Sequence, residues 1–541
     1  LRRSKIILQE DPMASSRAIK KKRDDTALTN YQPMPERAPS VERVEPPTIA
    51  RIVAMIGLFL TVLGALAMLA PRIGRVSGII TPDWGYRIGS VGILLLLYHA
   101  FIERDLQFRR LYGFLGLALV VGGVALRVLA FRAGYMTTFA YYGLPCLAMG
   151  LIVVLAVIRN ETEPSFRNLL LNTIGVVGGV MILFAAVMGL RRAEFLPGEG
   201  IVLLVLGIFY VSSYIGQQET GSERAHYASL GLGGFGVVGF LVGVLCSSVP
   251  DGYFLSPYNN FFIPSGLILI SVSIICMAIS LGISCDWPVI VLTRRDLAAY
   301  FYSPIAYLIF FGMIVVGGFM FMFFVDQLIS DPADFRRGGG IREPIVGQYI
   351  FSIWVVIMQM FIIAALTMRL FSEEKRTGTL EVLLTAPVNE ISIVVGKFLA
   401  CWIFYLFTWL PWWLFLVALR YMGNEEFDYR PVLSFMAALA AASAGLLAMG
   451  MFFSSMTSNQ IIAAVLTFVG TLSHLVFYFV RHQFTPEGTA LHEVFRFANF
   501  LDLWLSALDG ALAPRYLIFH VSVAVFFLFA TVKMLESRKW S

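Results

Sequence analysis

Ser303 to Val325 reads SPIAYLIFFGMIVVGGFMFMFFV, a stretch without a single charge. As an α-helix rising about 1.5 Å per residue, a run of this length crosses the roughly 30 Å hydrocarbon core of a bilayer. In hydrocarbon every backbone N–H and C=O has to be paired within the protein, and a helix achieves this on its own. The run is continuously apolar rather than alternating, which excludes a strand of a closed barrel. Working outward, comparable runs recur before it at 52–70, 86–102, 111–130, 136–158, 170–190, 200–216, 228–249 and 261–285, and after it at 347–370, 394–419, 431–453, 460–480 and 515–535. The expected fold class is therefore an all-α polytopic membrane protein of about fourteen transmembrane helices, eight followed by six.

Composition agrees. Of 541 residues, 58% are hydrophobic and 14% charged, against about 25% charged in an ordinary soluble domain. The net charge of +6 does not indicate a nucleic-acid partner. It comes largely from residues 1–51, a basic, proline-containing arm with Lys20, Lys21, Lys22 and Arg23, whose composition predicts disorder and attraction to anionic headgroups. No signal peptide precedes the first apolar run, and Met13 is a candidate initiator. A cytoplasmic N-terminus follows from the excess of Lys and Arg on that side, an excess that rests on the arm itself. An even number of spans returns the C-terminus to the same side.

Two segments are too polar to span. Asp286–Tyr302 carries Arg294, Arg295 and Asp296 and reads as an interfacial helix leading into Ser303-Pro304. His492–Gly510 mixes aromatics with Glu493, Arg496, Asp502 and Asp509 and reads as an interfacial or re-entrant helix. The third polar segment is the most informative: Ser372 to Pro387, SEEKRTGTLEVLLTAP, lies between two spans. Gly378 and Thr379 break the preceding helix. Leu380, Leu383 and Leu384 then fall at i, i+3 and i+4 on one helical face, with Glu381 at the positive end of the dipole. Pro387 ends the turn, and Asn389 caps the next helix. On local physics alone, such a helix either lies on lipid headgroups or docks on another protein.

The stretch Ser372–Leu399, with its EEKRTGTLEVLLTAP core and the following VGKFLA, resembles the loop between the second and third spans of ABC-2 type transporter permeases. The resemblance is nearest to the bacterial gliding-motility, copper-enzyme-maturation and multidrug-type subgroup. Thr293-Arg294-Arg295-Asp296-Leu297 through Tyr307 resembles that family's elbow helix and entry to the first span, and Phe526–Trp540 resembles its C-terminal span and tail. The resemblance covers about residues 286–541. It implies a permease domain there (elbow helix 286–302, coupling loop 371–392) and leaves 52–285 as an additional membrane domain of about eight helices.

The resemblance further implies an exporter subunit in a bacterial cytoplasmic (inner) membrane, both termini cytoplasmic. Its partners would be a separate ABC ATPase subunit, a second permease half (homo- or heterodimer) and the lipid bilayer. ATP would be used by the partner, no cofactor being bound by this chain, which would not itself be an enzyme. Glu373, Glu374, Gly378, Thr379, Leu380, Glu381, Leu383, Leu384 and Pro387 would form the ATPase-docking coupling helix. Arg294, Arg295, Asp296, Ser303 and Pro304 would form the elbow. Two alternatives compete: a fourteen-span ion-coupled secondary transporter, and a membrane scaffold regulated by an ATPase partner.

Other motifs carry less. Gly231-x-Gly233-x-x-Gly236 matches a dinucleotide fingerprint in letters but sits inside an apolar run without a preceding strand, so helix packing is the reading. No GxxxxGK[ST] occurs in the sequence, and Gly396-Lys397 has no phosphate loop around it. The five cysteines and six histidines show no CxxC or HExxH pattern, and no metal site is expected. The Asn160-Glu161-Thr162 triplet is read as accidental. Arg127, inside an apolar run, needs a partner or must snorkel. Trp409, Pro411, Trp412 and Trp413 read as an interfacial aromatic belt with a kink.

Overall fold

The computed structural model describes residues 48–73, 82–102, 105–133, 140–191, 195–218, 222–248, 264–330, 345–381, 388–423 and 430–538. Among these residues the chain is helical, without strands. Eleven of the described helical segments are long and apolar enough to cross a membrane. The runs expected at 52–70, 86–102 and 200–216 fall on helices of 26, 21 and 16 residues. The chain is an all-α, multi-pass membrane protein. The arm at 1–47 lies outside the described residues.

The chain divides into two compact units, residues 1–108 and 109–541. In the first unit, α1 (Thr48–Ile73) packs along α2 (Pro82–Ile102). The approach is so close that a Cβ on Gly92 would lie 2.4 Å from the Thr61 backbone nitrogen, and one on Gly57 2.9 Å from Leu95 Cβ. Small residues at the crossing let two backbones meet where no hydrophobic effect drives helices together.

The second unit begins with α3 (Leu106–Ala133, from residue 109 on), α4 (Ala140–Asn160) and α5 (Pro164–Arg191). A short π-helical turn, Leu196–Gly200, leads into α6 (Ile201–Gly216). Arg127 of α3 does not snorkel: it pairs with Glu199 in that turn. Next come α7 (Glu223–Ser248) and α8 (Pro264–Ser284). The glycine stripe of α7 is a packing surface, since Cβ atoms on Gly233, Gly236 and Gly243 would strike Ser280, Met277 and Ile270 of α8. Reciprocal bonds join the same pair: Ser280 Oγ donates to Ser229 O at 2.8 Å, and Ser229 Oγ lies 2.6 Å from Ser284 Oγ.

The remainder of the unit holds α9 (Pro288–Tyr302), α10 (Pro304–Ser330), α11 (Ile345–Ile350), α12 (Ile353–Thr367), α13 (Ser372–Thr377), α14 (Glu390–Thr408), α15 (Leu410–Gly423), α16 (Arg430–Met456), α17 (Gln460–Phe484), α18 (Ala490–Ala498), α19 (Phe500–Leu508) and α20 (Pro514–Arg538). α16, rich in Ala, Gly and Ser, lies at the centre, packed by α12, α14, α17, α19 and α20. A Cβ on Gly450 would meet Thr367 Oγ1 at 2.4 Å. The outer faces of α10, α17 and α20 expose Phe311, Phe319, Val465, Val469, Phe526 and Phe529, side chains that hydrocarbon rather than water accommodates.

Four departures from the sequence expectations have structural causes. The run 347–370 is interrupted at Phe351-Ser352, where Ser352 caps α12. The run 394–419 breaks at Trp409, one residue before α15. Trp409 and Trp412 do not form an interfacial belt. Both are fully buried, in a cluster where Trp409 meets Trp504 edge-on at 6.0 Å and Phe435 at 5.7 Å, and Trp412 meets Tyr349 at 5.0 Å. The aromatic surface that a belt would leave in the headgroup region is instead covered by rings of α11, α16 and α19. The segment 492–510 forms two helices rather than one, because Asn499 ends α18 and caps α19 through the Asp502 N–H.

Candidate functional site

The polar loop begins where α12 runs out. Ser454 of α16 accepts hydrogen bonds from the Phe371 and Ser372 N–H groups at 3.1 and 3.2 Å and donates to Met368 O at 3.1 Å. One hydroxyl thus satisfies backbone groups that a helix start leaves unpaired. Lys375 donates to Ser455 O, a second tie to the end of α16. α13 carries Glu373 and Glu374 in its first turn and Lys375 and Arg376 in its last, the charge order that the helix dipole favours. Gly378 closes it in the left-handed region at φ 73°, a conformation that costs a residue with a Cβ about 1–2 kcal/mol. Thr377 and Thr379 share a hydroxyl–hydroxyl bond of 2.9 Å across this turn.

Against this loop stands the amphipathic helix α9. It packs along α14, and the contact is tight: a Cβ on Gly396 would lie 2.9 Å from Leu292 Cβ and 3.2 Å from Val289 O. Thr293 Oγ1 donates to Val289 O at 2.7 Å, with Gly396 O at 3.2 Å. Tyr300 stacks on Phe404 of α14 at 4.9 Å and donates to Leu366 O of α12 at 3.3 Å. Burial first, and then the neighbouring Cys401 thiol, pushes the Tyr300 phenol well above the ordinary tyrosine range, so it stays a neutral donor.

The three elements meet at Lys397. Its ammonium is 2.6 Å from Glu374 Oε1 on α13 and 3.2 Å from Asp296 Oδ2 on α9, with its side chain 8% exposed. It also lies 5.8 Å from the centre of the Phe371 ring. Arg295 Nε reaches Asp296 Oδ1 at 2.8 Å. Beside this triad Arg369 grips Glu373 through Nε at 2.7 Å and a second nitrogen at 3.1 Å, and donates to Ser303 Oγ at 3.3 Å. α9, α13 and α14 are therefore held by one charged network. An ammonium this enclosed persists only because two carboxylates replace its water.

The residues singled out from sequence separate into groups. Asp296, Ser303, Glu373 and Glu374 converge. Arg295 joins through Asp296, whereas Arg294 turns away to Ile283 O and Asp286. Pro304 starts α10. Gly378, Thr379 and Glu381 are exposed, as are Arg376 and Thr377. Leu380 is buried, at 3% exposure. Leu383, Leu384 and Pro387 lie outside the described residues. Sequence reading missed Lys397 as the hub. Its signal was present, a single cation within the apolar VVGKFLACW, but its two partners lie 101 and 23 residues away.

Between α9 and the loop a cleft of about 380 Å³ opens, lined by Asp296, Tyr300, Ser303, Arg369, Glu374 and Lys397 on its polar side and by Ile305, Ala306, Ala365, Leu366 and Leu370 on its apolar side.

Residues 342–506 match the family described as ABC-2 family transporter protein. The match takes in α11 to α19 and the loop, and leaves out α9, α10 and α20, which the sequence resemblance also covered. Neither the curated proteins nor the solved structures contain a match. The chain is a multi-pass membrane protein that is similar, over residues 342–506, to the ABC-2 transporter family.

Proposed function

We propose that this protein is the transmembrane permease subunit of an ATP-driven ABC-2 type exporter, paired with a second permease half and with a separate ATPase that docks on the loop after α12. The membrane would be a bacterial cytoplasmic membrane with both termini inside. The loop's resemblance further suggests the gliding-motility, copper-enzyme-maturation and multidrug-type subgroup. The observation that carries the reading is the Lys397 network within and beside the family-matched segment. A displacement of α13 by a docked ATPase would pull on Glu374. Lys397 and Asp296 would pass it to α14 and α9, because a buried ion triad moves as a unit when separating its charges costs several kcal/mol, about 3–5 for one lost partner.

The docking face assigned on this reading is the exposed rim, Arg376, Thr377, Thr379 and Glu381, with the segment beyond it. Rim charges of this kind set register and association rate. Arg376→Glu and Glu381→Arg, singly and together, should weaken co-purification of a co-expressed ATP-binding-cassette ATPase while leaving membrane insertion and thermal stability unchanged. Undiminished ATPase recovery with the double variant would refute docking at this rim.

A further inference from the structure

Ser454 and Ser455, at the end of α16, hold the polar loop, and α17 begins just beyond them at Gln460. Its 25 residues rise about 37 Å, so its last turn stands on the membrane face away from the loop. There α18 lies against it, and the two are joined through a histidine. Arg481 Nε donates to His492 Nε2 at 3.1 Å. A guanidinium carries N–H groups and accepts nothing, so Nε2 has to offer a lone pair. The other ring nitrogen agrees. His492 Nδ1 lies 3.3 Å from Thr485 O and 3.3 Å from Thr485 Oγ1. The carbonyl only accepts, and the hydroxyl hydrogen is committed to Arg481 O at 2.7 Å. Nδ1 therefore carries the proton, Nε2 is bare, and the buried ring is neutral. Thr485 ends α17, and Thr489 caps α18 by taking the His492 N–H at 3.3 Å. The imidazole thus ties the last turn of one helix to the first turn of the next. Protonation would place an N–H where the guanidinium already points its own, and two positive charges at that same contact.

The other charged groups at this junction leave that conflict standing. Asp502 of α19 takes Arg481 and the Asn499 amide, and lies 3.8 Å from His482 Nε2. Protonating His482 would strengthen that pair, an effect of opposite sign. Tyr478 of α17 packs on the His482 ring at 4.5 Å, and Glu487 in the connecting turn is exposed. On α18 itself Glu493 faces Arg496 at 3.7 Å, and Arg496 and Arg515 of α20 lie over the Tyr516 ring at 5.6 and 5.1 Å. His474 reaches Ala498 O through Nδ1 at 2.6 Å, a bond that needs Nδ1–H and survives further protonation of that ring.

We propose that His492 is a proton-operated latch on the membrane face away from the polar loop: neutral, it fastens the first turn of α18 to the last turn of α17, and protonated, it lets that turn go. The stack of Phe495 on Phe477 at 5.4 Å and the His474 bond hold the second half of α18, so release is confined to its start. The latch needs no ATPase and stands independently of docking at the loop.

The test is amide hydrogen exchange of the full chain in detergent micelles at pH about 8 and about 5, the interval in which histidine changes charge. α20 serves as the reference within the same molecule, which cancels the intrinsic dependence of exchange on pH. Relative to α20, the amides of residues 490–494 should exchange about tenfold faster at the acidic pH, the factor carried by one hydrogen bond to a charged group. Those of residues 496–498 should hold. His492→Gln keeps an acceptor for Arg481 without a ring that titrates and should abolish the acid effect, whereas His482→Gln should retain it. Unchanged relative exchange in the native chain, an acid effect that survives His492→Gln, or one that disappears with His482→Gln would each overturn the proposal. The first of these comparisons needs no variant and decides the matter even if His492→Gln fails to fold.

Discussion

Replacing Lys397 by Met keeps the side-chain length and removes the ammonium. At an effective dielectric of about 20, the attraction lost is roughly 5 kcal/mol to Asp296 and roughly 6 kcal/mol to Glu374 for the distances of 3.2 and 2.6 Å. Most of that is offset by the desolvation that holding the three charges already costs. What remains is the burden on the two carboxylates left facing each other, at 15% and 23% exposure. Removing one partner of a buried pair costs about 3–5 kcal/mol. Arg295, 2.8 Å from Asp296, stays behind as a compensating charge, so the expected loss is about 3 kcal/mol. Glu374→Gln alone should cost less, because Lys397 keeps Asp296. The double variant should be more stable than the sum predicts by at least about 1 kcal/mol, since Gln relieves the repulsion that Met creates. Equilibrium unfolding in detergent micelles titrated with dodecyl sulfate, followed by near-ultraviolet circular dichroism, measures all four corners of the cycle. Additivity within about 0.5 kcal/mol would refute a direct interaction between Lys397 and Glu374.

Gly396→Val should force α9 from α14, because its Cβ would sit 2.9 Å from Leu292 Cβ; a loss of about 1–3 kcal/mol in the same unfolding assay is expected, with Ala intermediate. Tyr300 has a folded pKa raised above its ordinary value of 10.0. Its contribution is therefore fully present below pH about 10 and lost as pH rises through the folded pKa. Thermal stability of the native protein should then fall more steeply above that pH than that of Tyr300→Phe, and parallel curves would count against the assignment. Arg127→Met strands Glu199 in the π-helical turn; it should destabilise the protein measurably, and Glu199→Gln added to it should restore part of the loss, an outcome read as thermal aggregation in detergent. Gly378→Val places a β-branched residue at φ 73° and should cost about 1–3 kcal/mol, seen first as increased proteolysis of the loop.

Residue type and run length made the membrane spans legible, because the bilayer penalises every unpaired backbone group and every unpaired charge. That no span covers 286–302 was legible for the same reason, from Arg294, Arg295 and Asp296 within seventeen residues. Gly378 marked the end of α13 through its backbone freedom. The breaks at Ser352 and Trp409 were hidden, since an apolar run does not reveal where tertiary packing turns it. The burial of Trp409 and Trp412 was hidden as well, because it depends on Trp504, about a hundred residues on, for the first and on Tyr349, some sixty residues back, for the second.

By itself, then, the sequence determined that the chain crosses a membrane many times as helices and that a charged loop stands outside it. Both follow from transfer energies that act on each segment separately. Only the tertiary structure decided that Leu380 turns inward, that Arg127 finds Glu199, and that Lys397 joins Asp296 to Glu374. Those outcomes depend on which distant partner arrives within about 3 Å of a charge, and in a low-dielectric setting that separation decides whether the charge is tolerated at all.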